Sequence, residues 1–150
     1  GKGIPMSGNE PISALDISAS ALSAQRTRMN VIARNIANAQ TLVTPEGGPY
    51  RRREVTFASV VNEEMKGSGE PGEEVGGVAV ESVRVAPEPL KTVYDPQHPH
   101  ADEKGFVRMP NVNVTREMVE MVQAQRAYEA NLAAMQAYRN MSRSSFQMLK

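Results

Sequence analysis

The sequence predicts an α+β fold in which long N- and C-terminal α-helices pair as a coiled-coil-like unit, with a small antiparallel β module between them. Residues 13–40 and 115–149 each place apolar side chains at helical spacing along one face. The stretch between them is rich in Gly, Pro and β-branched residues, which favour short strands and turns. In 13–40 the apolar residues recur every seven positions, at Leu15, Leu22, Met29 and Ile36.

The first helix has a start signal at Ser13, where a hydroxyl is followed three residues later by the acid Asp16. Its polar face carries Ser, Thr and Asn, which compete for backbone hydrogen bonds and weaken a helix interior. We therefore expect this helix to be marginal alone and to require packing. It is predicted to end at Gln40, because turn-forming residues fill 44–49.

The middle of the chain is predicted to hold four short strands, at 50–57, 78–86, 91–95 and 105–109. Prolines and glycines punctuate these runs, which favours hairpins over longer strands. Residues 62–77 combine Gly, Pro and Glu and are predicted to form a flexible loop.

The second helix is predicted to be capped by Asn113 or Thr115, with Glu117 and Glu120 near its positive N-terminal end. Five of the nine methionines fall in this helix. Met is flexible and fills irregular gaps, so a Met stripe indicates a core or subunit contact rather than a ligand site.

These predictions divide the chain into an assembly core and a peripheral module. Residues 1–10 comprise a flexible N-terminus whose first residues, ahead of Met6, look like an expression scar. Residues 11–41 form the N-terminal helix, which pairs with the C-terminal helix of 111–150. Residues 42–110 form the β-rich middle module.

Composition argues against several classes of function. The formal net charge is zero, so no global field attracts nucleic acid or a membrane surface. The 50 residues from 61 to 110 are acidic, whereas both ends are basic, so opposite patches could meet between subunits. There is no Cys, no signal-peptide pattern and no apolar run long enough to span a membrane.

Candidate chemical sites are weak. His98 and His100 flank Pro99 on a Pro-rich stretch, a spacing that fits no metal template and favours a rigid surface turn. The run 51–53 is three arginines, which alternate faces on a strand and so form no single cationic patch. We therefore predict no catalytic, cofactor or metal site, and no enzyme activity.

Several sequence runs resemble the bacterial flagellar basal-body rod and hook proteins. The first helix contains the runs Ala21-Leu22-Ser23-Ala24-Gln25, Asn30-Val31-Ile32-Ala33 and Asn35-Ile36-Ala37-Asn38-Ala39-Gln40-Thr41. The later runs are Val93-Tyr94-Asp95-Pro96-Gln97-His98-Pro99, Gly105-Phe106-Val107, Met109-Pro110-Asn111-Val112-Asn113 and Arg126-Ala127-Tyr128-Glu129-Ala130-Asn131. The first group is typical of the wider family, and the second group favours its proximal rod members. The stretch 62–77 is longer and more acidic than the family pattern.

The resemblance implies a structural subunit of the flagellar rod, the axle that links the membrane ring and export gate to the distal rod and hook. Such proteins leave the cytoplasm through the type III export gate and assemble in the periplasm. Implied partners are other copies of the chain, other rod proteins and the base of the ring and export-gate complex, with neither nucleic acid nor membrane insertion. The terminal helices would line the inner tube, with the middle module outside.

The predicted assembly interface consists of the apolar helix faces and the asparagines that punctuate them. Asn35 and Asn38 lie on one side of the first helix, where their amides could bridge to a neighbouring subunit or face solvent at a frayed end. The set is Leu15, Leu22, Met29, Asn30, Ile32, Asn35, Ile36, Asn38, Met118, Met121, Tyr128, Asn131, Leu132, Met135, Phe146 and Leu149.

Two other functions use similar features. A soluble flagellar or type III export chaperone or adaptor would also present helical stripes and Met, but would stay in the cytoplasm. A secreted hydrolase would need a catalytic pocket, which only residues 95–102 could supply. In the rod interpretation, the free protein has partly disordered ends that become ordered when neighbours cover them.

Overall fold

A computed structural model describes residues 14–61 and 76–149. Within these residues, two long helices flank four strands in chain order, so the predicted α+β class is confirmed. The elements are α1 (Ala14–Ala37), β1 (Arg53–Val61), β2 (Gly76–Val85), β3 (Lys91–Tyr94), β4 (Phe106–Met109) and α2 (Val114–Met148).

The strands form two separate antiparallel hairpins rather than one sheet. In the first, β1 pairs with β2, with Arg53 opposite Val85 and Val61 opposite Gly76, and the register shifts by one residue between Thr56 and Phe57. The prediction of a loop over 62–77 is wrong for its last two residues, which belong to β2. Its remainder, 62–75, lies outside the described residues.

The second hairpin joins β3 to β4 through the connection 95–105. The Tyr94 and Phe106 rings meet edge to face at 5.2 Å. The Asp102 carboxylate accepts the backbone N–H groups of Lys104 and Phe106, each at 2.9 Å. Gly105 has φ +86°, a conformation that residues with a Cβ rarely adopt. These features explain why this run forms a defined hairpin.

The ends of the helices follow local capping chemistry. The Asn113 side chain accepts the Arg116 backbone N–H at 3.2 Å, so the predicted Asn113 cap is confirmed. The first helix ends at Ala37 rather than at Gln40, because the chain turns at Asn38. There the Asn38 amide donates to the Arg34 carbonyl and Thr41 N–H donates to the Asn38 carbonyl. Ser13 lies outside the described residues.

The two helices pack antiparallel. Near the C-terminus of α1, Asn35 contacts Glu117 in the first turn of α2. Further back along α1, the Arg26 guanidinium donates to the Tyr128 hydroxyl at 3.3 Å. Ala24 and Ala124 are almost fully buried, and small side chains at a helix seam allow close approach of the two backbones.

Candidate assembly interface

A buried hydrogen-bond cluster joins the helix pair to the β module. The Asn35 side chain is 1% exposed, and its amide nitrogen donates to the Arg53 carbonyl at 2.8 Å and to Glu117 at 3.3 Å. Its amide oxygen accepts the Tyr50 hydroxyl at 2.8 Å and the Arg53 backbone N–H at 3.0 Å. Every hydrogen-bonding group of this buried amide is therefore satisfied within one chain.

Burial of Tyr50 raises the pKa of its hydroxyl, and the negative charge of Glu117 acts in the same direction. The positive charges of Arg53 and Arg34 oppose this increase. The hydroxyl therefore remains protonated over a wider pH range than in an exposed tyrosine, and it keeps its hydrogen bond to Asn35.

Arg52 forms the charged part of the same cluster. Its Nε donates to the Glu117 carboxylate at 2.6 Å, and its terminal nitrogens lie 3.4 Å from Glu54 and from Glu120. Burial disfavours the guanidinium charge, but the hydrogen bond and negative charge of Glu117, with the charges of Glu120 and Glu88, outweigh it and raise the pKa of Arg52. The side chain stays charged.

Asn111 fixes the segment that precedes α2 against the same strand. Its side-chain oxygen accepts the Arg52 backbone N–H at 2.6 Å, and its amide nitrogen donates to the Glu88 carbonyl at 2.8 Å. We name Asn35, Tyr50, Arg52, Asn111 and Glu117 the junction cluster. The junction cluster holds α1, α2 and the entrance of β1 in one arrangement.

The outer face of α2 carries apolar side chains that the described part of the chain leaves in solvent. Met118 and Val119 are each 54% exposed, and Val122 is 47% exposed. These three residues lie at i, i+1 and i+4, on the side of the helix away from the buried Glu117 and Ala124. The first two turns of α2 thus present an apolar surface on the side opposite α1.

The last turns of α2 are the most exposed apolar part of the described chain. We name Met141, Phe146, Met148 and Leu149 the C-terminal apolar surface; their exposures are 70%, 74%, 85% and 84%. Because the helices are antiparallel, the described part of α1 begins opposite the α2 residues that precede this surface. The described part of α1 therefore does not extend along the C-terminal apolar surface. A surface of this kind is typical of a protein–protein contact.

The structure separates the predicted interface residues into three groups. Ile32 and Asn35 are buried within the chain. The half-buried group comprises Leu15, Leu22, Met29, Ile36, Asn38, Met121, Tyr128, Asn131 and Met135. The exposed group comprises Asn30, Met118, Leu132, Phe146 and Leu149.

For Asn35, the proposed bridge to a neighbouring subunit does not agree with the geometry, because its side chain is enclosed and fully bonded internally. Asn38 also bonds within the chain, donating to the Arg34 carbonyl and accepting from Thr41. Asn131 donates to the Ala127 carbonyl one turn earlier. The interface as a whole stays a prediction.

The three arginine side chains alternate in direction, as the sequence predicts. Arg52 points inward and pairs with Glu117. Arg51 and Arg53, on the other side, line a cavity together with Arg34 of α1, so a cationic patch forms from two of the three arginines and a partner on another element. The alternation was visible in the sequence, but the partner from α1 was not.

The histidine segment forms a turn. The His98 Nδ1 accepts the His100 backbone N–H at 3.0 Å, and the two rings lie 5.7 Å apart. Within residues 14–61 and 76–149, no group of three or more His, Asp or Glu side chains is placed to hold a metal ion. Neither described helix has a stretch apolar enough to cross a membrane.

Comparison with known proteins places these features in a family. Residues 15–41 match the profile described as "Flagella basal body rod protein", and residues 103–148 match "Flagellar basal body rod FlgEFG protein C-terminal". The first match covers nearly all of α1 and the second covers β4 and all of α2. The chain belongs to the bacterial flagellar basal-body rod protein family.

Within that family, the chain is similar to proteins named flagellar basal-body rod protein FlgC. It is 44% identical to that of Borreliella burgdorferi over 147 residues, which cover 92% of this chain and 97% of the relative. The Yersinia enterocolitica protein is 46% identical over 81% of this chain and 84% of its own. The Bacillus subtilis protein is 42% identical over 85% and 91%.

Proposed function

We propose that this protein is a structural subunit of the proximal rod of the bacterial flagellar basal body. The observation that carries the proposal is the C-terminal apolar surface, which continues the α1–α2 pair at an exposed helix end. Apolar side chains with most of their area in solvent gain about 25 cal/mol for each Å² that a neighbour covers. The family membership and the FlgC names of the relatives support the same function.

The helices and the β module have separate roles in this proposal. The paired helices α1 and α2 form the assembly core, and the β1–β2 and β3–β4 hairpins form a module held beside them by the junction cluster. The buried ion pair between Arg52 and Glu117 fixes the orientation of the module relative to the helices. A fixed orientation allows each added subunit to present its module at the same angle.

The proposed partners are other copies of this chain, other rod proteins and the base of the ring and export-gate complex. The proposed location is the rod in the periplasm, reached after export from the cytoplasm. The zero net charge supports assembly through apolar and local charged contacts rather than through a global field. A chaperone function is not favoured, since the relatives are named as rod proteins.

Isolation of basal bodies tests the proposal. A strain that produces the tagged protein from its own locus should yield the protein in purified basal bodies, resistant to washes that remove loosely bound proteins. A matched tagged cytoplasmic protein should be absent from the same fraction. Recovery only in the soluble cytoplasmic fraction, bound to unassembled export substrates, would instead establish the chaperone function.

A further inference from the structure

A cationic cavity lies where α1 meets the base of the β1–β2 hairpin. Its volume is about 540 Å³, and its walls come from the end of α1, the loop that follows, and the paired residues Arg53 and Val85. Thr41, Val43 and Tyr50 contribute the loop side. The cavity is separate from the C-terminal apolar surface and from the outer face of α2.

Three arginines and one acid line this cavity. Arg34 comes from α1, Arg51 and Arg53 come from alternate positions of one extended segment, and Glu46 lies on the loop. Among the described residues, no carboxylate oxygen lies within 4.0 Å of any of these three guanidinium groups. The residues that line the cavity therefore carry a net positive charge. Their guanidinium groups form no ion pairs within the described chain.

The loop wall is already shaped. Thr44 N–H donates to the Gly48 carbonyl at 3.0 Å, Gly47 N–H donates to the Thr44 carbonyl at 2.9 Å, and the Thr44 hydroxyl donates to Gly48 at 3.1 Å. Tyr50 N–H donates to the Thr41 carbonyl at 2.9 Å and closes the loop at its base. A preformed wall reduces the ordering cost of binding.

The chemistry of the cavity fits an acidic peptide. A guanidinium group donates two parallel hydrogen bonds to a carboxylate, and three such groups from two elements suit a segment with several glutamates. The chain itself contains such a segment, since residues 63–74 hold five Glu and one Lys.

The chain's own copy of this segment is tethered at the far end of the hairpin. From Arg53 to Val61, β1 extends about 27 Å at 3.4 Å per residue. The cavity lies at the other end of this hairpin, beside the paired residues Arg53 and Val85. In a neighbouring copy the segment is joined to a different hairpin, so its distance from this cavity is set by assembly.

We propose that this cavity binds the acidic segment 63–74 of a neighbouring copy of the chain. The guanidinium groups of Arg34, Arg51 and Arg53 receive glutamate carboxylates, and the apolar walls contact the intervening residues. The inference rests on the proposed function in one respect, because assembly is what brings copies of the chain next to one another. The contact links the β module of one subunit to the helix–module junction of the next.

Binding of a synthetic peptide spanning residues 61–76 tests this proposal in solution. The labelled peptide is titrated with the dilute full-length protein at low ionic strength, and fluorescence anisotropy is recorded. The Arg34→Ala, Arg51→Ala double variant should bind at least tenfold more weakly. The control is the Arg126→Ala, Arg139→Ala double variant, which has the same net charge as the first double variant and carries both changes on exposed parts of α2. It should bind the peptide as tightly as the unaltered protein does.

A second peptide, with its five glutamates replaced by glutamine, keeps the test independent of variant folding. It should not bind the unaltered protein, and added salt should weaken binding of the acidic peptide. Equal binding of both peptides, equal binding by both double variants, or no binding of the acidic peptide would overturn the proposal. Because the assay needs no rod assembly, each of these results leaves the basal-body test of function unaffected.

Discussion

Glu117 of α2 and Arg52 at the entrance of β1 form a buried ion pair, with 2.6 Å between Glu117 Oε1 and Arg52 Nε. Glu117 is 1% exposed, and its second carboxylate oxygen accepts the Asn35 amide at 3.3 Å. One carboxylate thereby links α2 to both α1 and the β module. A buried pair of this kind adds little net stability, because desolvation offsets much of its attraction.

Glu117→Gln should destabilise the protein strongly. The substitution leaves the Arg52 charge enclosed without its nearest counter-charge, and loss of one partner of a buried pair costs on the order of 3 kcal/mol. Urea unfolding followed by circular dichroism measures the change in the free energy of unfolding. Glu120→Gln is the matched control, because Glu120 is more exposed and 3.4 Å from Arg52. Equal losses for the two variants would contradict a special role for Glu117.

Tyr50→Phe should lower stability by about 1 kcal/mol near neutral pH, since the Asn35 oxygen loses the tyrosine hydroxyl as a donor. Burial raises the pKa of Tyr50 above its ordinary value of 10.0, so the unfolded chain releases this proton before the folded chain does. Stability should therefore fall as the pH rises above about 10, and less steeply in the Tyr50→Phe variant.

Unfolding titrations at pH values on both sides of 10 measure this difference in slope. Tyr94→Phe provides the control, because Tyr94 is 65% exposed. That variant should keep the pH dependence of the unaltered protein. A Tyr50→Phe variant whose alkaline slope matched that of the unaltered protein would show that Tyr50 does not titrate differently in the two states.

Gly105→Ala should disrupt the β3–β4 hairpin more than Gly47→Ala disrupts its loop. Both glycines have positive φ, +86° and +91°, so both substitutions introduce backbone strain. A Cβ at Gly105 would also lie 3.0 Å from the Tyr94 ring and 3.1 Å from Pro96, whereas nothing lies within 4 Å at Gly47. Thermal melting should show a larger fall in Tm for Gly105→Ala, and equal falls would rule out the steric contribution.

Local signals in the sequence were sufficient for the type and order of the elements but not for all of their ends, since β1 was predicted at 50–57 and is observed at Arg53–Val61. The Asn113 cap and the hairpin around Gly105 depend on residues a few positions apart, and both were predicted close to their observed ends. The junction cluster was not predicted, because its bonds join residues far apart in the chain. Arg52 and Glu117 are separated by 65 positions, and Asn35 and Glu117 by 82. Periodicity indicates which faces are buried, but it does not specify which polar partner meets them.

The free protein should show fewer helical residues than the 24 of α1 and 35 of α2. The last turns of α2 bury little apolar area, and short helical ends without packing are marginal in water. Hydrogen exchange of the dilute protein should give rapid exchange at 141–148 and slow exchange at 117–128. Slow exchange at both would show that α2 is stable without a neighbour, contrary to the coupled ordering expected for assembly.

Phe146→Asp and Leu22→Asp should separate assembly from folding. Phe146 is 74% exposed, so a charge there should leave the free energy of unfolding within about 0.5 kcal/mol of its original value while preventing burial in a subunit contact. Leu22 is half-buried along α1, so a charge there should destabilise the helix pair itself. Both variants should abolish swimming. Only Leu22→Asp should unfold at a lower urea concentration than the unaltered protein. Phe146→Asp should still be exported into the medium or periplasm. Normal motility with Phe146→Asp would exclude the C-terminal apolar surface from the assembly contact.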